Sequence, residues 1–243
     1  MAQLQPMPSI LVSKSDLKRF GDRWISNGEN LSRTPPESSL QLGNIFDIAV
    51  GKSLSKMLGD IPIETPSSTT LLPVSADCVE VGPVRIVGGV RPQNFDAGYR
   101  PDGPRFVFDS KTLNDTASLG KNLLNMINDI ATEATTVHTR FPHALVTFML
   151  IVPKPCMEAR PRHAAAAIQT LDRLAMRRDI NDPDHLAEAI AVVVWDPTTG
   201  EIDQEIPAQS TNLRIEDFSK RVEEIYITRY KGLPPHANVT SGT

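Results

Sequence analysis

Apolar and polar positions follow two different periods along this chain. Between residues 118 and 138, apolar side chains recur three or four positions apart, which predicts an amphipathic helix. Near-continuous apolar runs at 144–152 and 191–195 are typical of strands that are buried on both faces. The same reading predicts a strand over 79–90, and helices over 39–58, 163–178, 184–188 and 215–230.

A β-hairpin is predicted where two β-prone runs flank Asp102-Gly103, because Asp-Gly in that setting is the strongest short hairpin signal. A two-residue loop at this position fixes the register. It predicts the cross-strand pairs Arg100–Arg105, Tyr99–Phe106 and Asp96–Asp109. Lys111 lies two residues beyond Asp109, so its side chain projects from the same face of the strand.

The predicted order is helix, strand, strand, strand, helix, strand, helix, strand, helix. This order is typical of an α/β protein with a mixed central sheet, an antiparallel hairpin within it and helices on both sides. Polar, Pro-rich segments divide the chain into an N-terminal extension (1–38), one large domain (39–231) and a flexible C-terminal tail (232–243).

Composition narrows the class of protein. The chain has 243 residues, a net charge of −4 and 40% hydrophobic residues, enough for a sizeable core. No apolar run approaches the roughly 18 residues that span a membrane, and no signal peptide is expected at the N-terminus. Cys78 and Cys156 suggest neither a disulfide framework nor a zinc site, so an intracellular, cytoplasmic protein is expected. The charge excludes a uniformly basic coat for nucleic acid but not a local basic cleft.

The predicted pairing of Asp96 with Asp109 has a chemical consequence. Like charges directly opposite each other destabilise a hairpin, at a Cβ separation of about 5 Å. A divalent cation and the nearby ammonium of Lys111 would compensate this repulsion. Hard oxygen ligands favour Mg²⁺, which polarises a phosphate and activates water, so the pattern suits metal-assisted hydrolysis of a phosphodiester. The alternative is a surface hairpin in which both acids pair with Arg100, Arg105 or Lys111.

Phe95-Asp96 followed by Asp109-Ser110-Lys111 resembles the signature of the PD-(D/E)XK nuclease superfamily. The resemblance covers about residues 39–152 and implies a restriction-endonuclease-like core, with Asp96 and Asp109 on Mg²⁺ and Lys111 at the attacking water. Phe95 replaces the proline of the signature, and Asp109 stands where glutamate is more common. A literal Pro-Asp occurs at Pro101-Asp102, but there it suits the turn of the hairpin.

Further site residues are expected around this centre. Many members of the superfamily carry a third acid on the first core helix, and here either Asp47 or Glu37 is in a position to supply it. Contacts to DNA are expected from five polar or basic residues, for which a solvated loop or helix surface is the alternative reading: Ser110, Thr112, Asn114, Lys121 and Lys154.

The resemblance thus implies that 39–231 is a nuclease-like catalytic domain. The expected function is that of a Mg²⁺-dependent endonuclease acting on double-stranded DNA, most similar to a type II restriction enzyme that works as a homodimer. Two alternatives stay open. One is a repair or recombination nuclease of the same superfamily, and the other is a non-catalytic nucleic-acid-binding protein on a nuclease-like scaffold.

Overall fold

The computed structural model describes residues 3–29, 37–67, 69–113, 115–116 and 119–236, and the side chains of 37–41 lie outside this description. The helices in these ranges are α1 (Lys14–Ser26), α2 (Glu37–Met57), α3 (Leu119–His138), α4 (Lys154–Ala159), α5 (Pro161–Leu174) and α6 (Ile215–Tyr230). The strands are β1 (Ile63–Glu64), β2 (Val79–Val87), β3 (Pro92–Tyr99), β4 (Phe106–Thr112), β5 (Leu145–Pro153) and β6 (Ala189–Trp195).

The strands of the described ranges form one six-stranded mixed sheet in the order β1-β2-β3-β4-β5-β6. β3 is antiparallel to both of its neighbours, whereas β4, β5 and β6 run parallel to one another. β1 is parallel to β2, and β4 therefore has an antiparallel neighbour on one side and a parallel neighbour on the other. The protein is an α/β protein with a mixed sheet flanked by helices, as the sequence predicts.

Two hydrophobic layers cover the sheet. The α2-side core packs one face against α2 and α6, and it contains Phe46, Val50, Phe106, Phe108 and Phe218. The α3-side core packs the other face against α3, α4 and α5, and it contains Val107, Leu123, Ile130, Phe148 and Leu171. Because neighbouring residues of a strand point to opposite faces, β4, β5 and β6 contribute alternately to the two cores.

The N-terminal segment is part of this packing. Met7, Ile10, Leu17 and Phe20 join the α2-side core. The Ser13 hydroxyl accepts a hydrogen bond from the Asp16 N–H and so caps the N-terminus of α1. The division of the chain into extension, domain and tail stays a prediction.

Most of the predicted elements lie within a few residues of the observed ones, and the last helix begins and ends where expected, at Ile215 and Tyr230. The helix predicted over 184–188 is wrong, because these residues form turns before β6. Arg177 occupies this region with a fully buried side chain and donates hydrogen bonds to the carbonyl oxygens of Ile180 (3.0 Å) and Pro183 (3.0 Å). Within 184–188 the backbone also binds outside a helical turn: His138 Nδ1 lies 2.9 Å from the Asp184 carbonyl oxygen, and the Ala187 N–H donates to the Leu174 carbonyl oxygen at 2.7 Å.

The hairpin confirms part of the predicted register and corrects the rest. Tyr99 pairs with Phe106, but the loop spans 100–105 rather than two residues, and Arg100 does not pair with Arg105. The two arginines turn instead to other partners. Arg100 Nη2 donates to the buried Glu80 Oε1 at 2.9 Å, and Arg105 Nε donates to Asp102 Oδ1 at 2.8 Å. Ion pairs on separate partners remove the repulsion that two facing guanidinium groups would create.

A buried carboxylate lies at the N-terminal ends of the parallel strands β5 and β6. Glu188, just before β6, accepts hydrogen bonds from the Val146 N–H at 2.8 Å and from Arg229 Nη1 at 2.8 Å. His138 Nε2 and Arg177 Nε lie 3.2 Å and 3.1 Å from its oxygens. Burial acts to raise the pKa of Glu188, but His138 and Arg229 outweigh it and keep the pKa below its ordinary value.

None of the helices in the described ranges is long and apolar enough to cross a lipid bilayer.

Truncation of a central aromatic side chain tests this two-layered core. Phe108 is fully buried on β4 and packs edge-to-face on Phe218 of α6, with ring centroids 6.2 Å apart. Phe108→Ala is expected to lower the free energy of unfolding by about 3–5 kcal/mol, measured by urea denaturation. Leu11→Ala, at a side chain that is 83% exposed, is the control and should change it by less than about 0.5 kcal/mol. Equal effects of the two substitutions would contradict the packing described.

Candidate active site

The candidate site lies where β3 and β4 separate. The last backbone pair of this ladder is Ala97 with Phe108, so the predicted pair of Asp96 and Asp109 is not part of it. Instead, Asp96 Oδ2 accepts hydrogen bonds from the Ser110 N–H at 2.8 Å and from Ser110 Oγ at 3.1 Å. The Asp96 carboxylate thus takes the place of a backbone partner for β4. It lies between β3 and β4 where the two strands separate.

The alternation of β4 sends its polar residues to opposite faces of the sheet. Asp109 and Lys111 share the parity of Val107, whose side chain lies in the α3-side core. Ser110 and Thr112 share the parity of Phe108 and face α2. The alternation of apolar residues along β4 therefore determines which helix each polar side chain contacts.

Lys111 bridges two carboxylates on the α3 face. Its ammonium forms an ion pair with Asp109 Oδ2 and donates a hydrogen bond to Glu133 Oε1 of α3 at 2.8 Å. All three side chains are largely withdrawn from water, with exposed fractions of 18% for Lys111, 10% for Asp109 and 7% for Glu133. The prediction that Lys111 lies on the same face as Asp109 is confirmed.

Asp47 of α2 approaches the same centre from the other face. Its side chain is buried, and among the described residues its Oδ1 has no hydrogen-bond partner. Asp47 and Asp96 line a cleft of about 350 Å³ together with Asn44, Pro83 and Asn94. A somewhat larger cavity lies at the hairpin loop 100–104 and contains none of the site carboxylates. The smaller cleft of the two therefore gives access to Asp47 and Asp96.

The pKa values of three carboxyl groups of the site, those of Asp47, Asp109 and Glu133, are raised. Burial, and then the charge of Asp96, raise the pKa of Asp47 to about 8, while the Ser110 side chain acts to lower it. Burial and Asp96 also raise the pKa of Asp109 well above its ordinary value, with Lys111 opposing them. Burial raises the pKa of Glu133 too, again against the effect of Lys111. Asp96 therefore lies close enough to both Asp47 and Asp109 to couple the two faces electrostatically.

The donor set fits a hard divalent cation that keeps part of its own hydration shell. No group of three or more His, Cys, Asp or Glu side chains in the described ranges is arranged to enclose a metal ion. Mg²⁺ is usually held by one or two carboxylates together with waters and substrate phosphate, so it requires no such cage. Asp96 and Asp109 provide two carboxylates, and the unpartnered Oδ1 of Asp47 is a third acceptor nearby.

The other predicted site residues are distributed around this centre. Glu37 has its side chain outside the described residues, and Asn114 is itself outside them. Ser110 and Thr112 are half-buried beside Gly43 of α2, and Lys121 is exposed on the first turn of α3. Lys154 begins α4, where its ammonium lies 2.8 Å from Asp203 Oδ2. A role in DNA binding stays a prediction for all five residues from which such contacts are expected.

Glu133 is the site residue that sequence reasoning missed. A signal for it exists in the pattern of α3. Glu133 follows Ile130 by three positions and precedes Val137 by four, so it lies on the face of the helix that packs against the sheet. An acid on the buried face of an otherwise apolar stripe requires a charged partner, and Lys111 is that partner.

The raised pKa of Asp47 predicts how stability depends on pH. The unfolded carboxyl ionises near 3.8 and the folded one near 8, so the folded state binds the extra proton and stability falls as pH rises from about 4 to 8. Asp47→Asn removes this loss. With chelator present, it should be more stable than the wild type by on the order of 2 kcal/mol at pH 8, with little difference at pH 4, in urea denaturation.

The exposed carboxylate of Asp129 supplies the control for this measurement. Asp129→Asn should leave the pH profile of stability as in the wild type. A wild-type profile that rises between pH 4 and 8 relative to that of Asp47→Asn would contradict the burial of the Asp47 carboxyl.

Comparison of the chain with known proteins finds no relative from which the role of this site could be inferred. No family model matches the chain, and neither a curated protein nor a solved structure does. The resemblance to PD-(D/E)XK nucleases therefore rests on the hairpin residues and on the order of the elements around them.

Proposed function

We propose that this protein is a Mg²⁺-dependent endonuclease of the PD-(D/E)XK type that hydrolyses phosphodiester bonds of double-stranded DNA. The observation that carries the proposal is the convergence of Asp96, Asp109 and Lys111 at the point where β3 and β4 separate. The Asp109 carboxylate is buried and the Asp96 carboxylate is half-buried, and Lys111 contacts Asp109. Such an excess of buried negative charge is compensated when a divalent cation binds.

Asp96 and Asp109 are the proposed ligands of the cation, with Asp47 as the proposed third acid. The cation would polarise the scissile phosphate and lower the pKa of a bound water. The chain contributes by fixing the carboxylates: Ser110 holds Asp96 with two hydrogen bonds, and Asp109 is set by its position in the central strand β4. The raised pKa values of Asp47 and Asp109 are expected in a site where a bound cation supplies the compensating positive charge.

Lys111 is proposed to act as a fixed positive charge. Burial acts to lower the pKa of Lys111, but Asp109 and Glu133 outweigh it, so the pKa is raised and the ammonium keeps its proton. A permanently charged ammonium does not accept a proton from water. It instead orients the attacking water by donating to it, or stabilises the charge that develops on the phosphate oxygens.

The substrate and the assembly follow from the same proposal. The order of α2, β2, β3, β4, α3 and β5 supports a restriction-endonuclease-like core, with β3 and β4 as the catalytic hairpin. We propose a type II restriction enzyme that acts as a homodimer, because a two-fold symmetric protein reads a palindromic site and brings one centre to each strand.

Removal of Asp109 or Lys111 tests the proposal. Asp109→Ala and Lys111→Ala should each lower Mg²⁺-dependent cleavage of supercoiled plasmid by about 100-fold or more, because each removes a charged group from the reaction centre. Asp102→Asn, in the loop of the same hairpin, is the matched control and should leave cleavage within a few-fold of the wild type. Full activity of either alanine variant would refute the site.

The pattern of products distinguishes the open alternatives. Discrete Mg²⁺-dependent fragments are the expected result for a restriction enzyme. Nicking that depends on branched or damaged DNA would instead indicate a repair or recombination nuclease. Retained DNA binding without cleavage in Mg²⁺ or Mn²⁺ would indicate a non-catalytic binding protein.

A further inference from the structure

The position of Lys111 raises a problem that the proposed function does not resolve. Its ammonium contacts Asp109 Oδ2, and Asp109 is a proposed ligand of the cation. An ammonium and a divalent cation that approach one carboxylate repel each other, even when they bind different oxygens. The contact between Lys111 and Asp109 must therefore weaken when the cation is bound.

Glu133 offers the ammonium another acceptor. Its Oε1 lies 2.8 Å from the Lys111 ammonium, while its Oε2 has no hydrogen-bond partner among the described residues. An ammonium has three N–H donors, and a carboxylate accepts at both oxygens, so Glu133 has the capacity to hold the ammonium when its ion pair with Asp109 weakens. The Glu133 residue is 5% exposed and is held on α3 between Ile130 and Val137, which are buried in the α3-side core.

We infer that Glu133 is a positioning residue that receives the Lys111 ammonium when Asp109 binds a divalent cation, and so sets how tightly the site holds that cation. This inference rests on the proposed function, because it requires Asp109 to be a ligand. Without the Glu133 carboxylate, Lys111 keeps Asp109 as its charged acceptor and competes with the cation. When the Glu133 carboxylate is present, it keeps the Lys111 ammonium close to the reaction centre while Asp109 binds the cation.

Cation binding by the protein without DNA is the direct test. Isothermal titration of the chelator-treated protein with Mg²⁺ is expected to show weaker binding by about ten-fold in Glu133→Gln, since a neutral amide holds an ammonium less strongly than a carboxylate does. Asp129→Asn removes an exposed negative charge one turn before Glu133 on the same helix and should change affinity less than two-fold, because this carboxylate does not contact Lys111. Equal affinities of Glu133→Gln and Asp129→Asn would overturn the inference.

A double-mutant cycle separates an effect through Lys111 from a simple loss of charge. In a Lys111→Met background, adding Glu133→Gln should change Mg²⁺ affinity by less than two-fold, because no ammonium remains to be positioned. A ten-fold loss in that background as well would refute the role. If circular dichroism shows that Lys111→Met does not fold, the comparison of Glu133→Gln with Asp129→Asn decides alone.

The same titration distinguishes this inference from the proposed function. Asp109→Asn should abolish Mg²⁺ binding, and binding that survives this change would reject the site itself. Loss of binding in Asp109→Asn together with unchanged binding in Glu133→Gln would reject the role of Glu133 alone. In cleavage assays, high Mg²⁺ should restore Glu133→Gln towards the wild-type rate but should not restore Asp109→Ala.

Discussion

The structure depends on the placement of β4 between an antiparallel neighbour and a parallel one. Its backbone pairs with β3 only as far as Phe108, whereas its pairing with β5 continues to Thr112. The strand therefore leaves β3 while it is still held from the other side. The Ser110 N–H that loses its strand partner binds the Asp96 carboxylate instead, and this exchange brings the first acid of the site to the second.

Electrostatics then determine what this arrangement can do. Burial of Asp47 and Asp109 raises the free energy of their charged forms, because one oxygen of each lacks a hydrogen-bond partner among the described residues. At the other end of the sheet, Glu188 shows how the fold treats a buried acid that is structural: Arg177, Arg229 and His138 surround it, and its pKa is low. Asp47 and Asp109 have raised pKa values instead. This contrast within one protein is the physical reason for proposing a cation at one cluster and a structural role for the other.

The parts of the fold that could be predicted are those that local pattern determines. The apolar period of α3, the continuous runs of β5 and β6, and the parity that places Lys111 with Asp109 all follow from neighbouring residues. The errors concern long-range partners. Three contacts join segments whose proximity no local pattern encodes. These are the hydrogen bond of Asp96 with Ser110, the ion pair of Arg100 with Glu80, and the hydrogen bond of Lys111 with Glu133. The segment 184–188 is a similar case, because its backbone groups bind His138 and Leu174 rather than one another.

The central claim is that Asp96 and Asp109 share a divalent cation, and a crystal structure grown with Mn²⁺ tests it most directly. Mn²⁺ suits the same carboxylate ligands as Mg²⁺ and is located by its anomalous scattering. An anomalous peak is expected within about 2–2.5 Å of an oxygen of each carboxylate, with the Lys111 ammonium turned from Asp109 to Glu133. Crystals with no peak at this position, and with Lys111 still bound to Asp109, would contradict the claim.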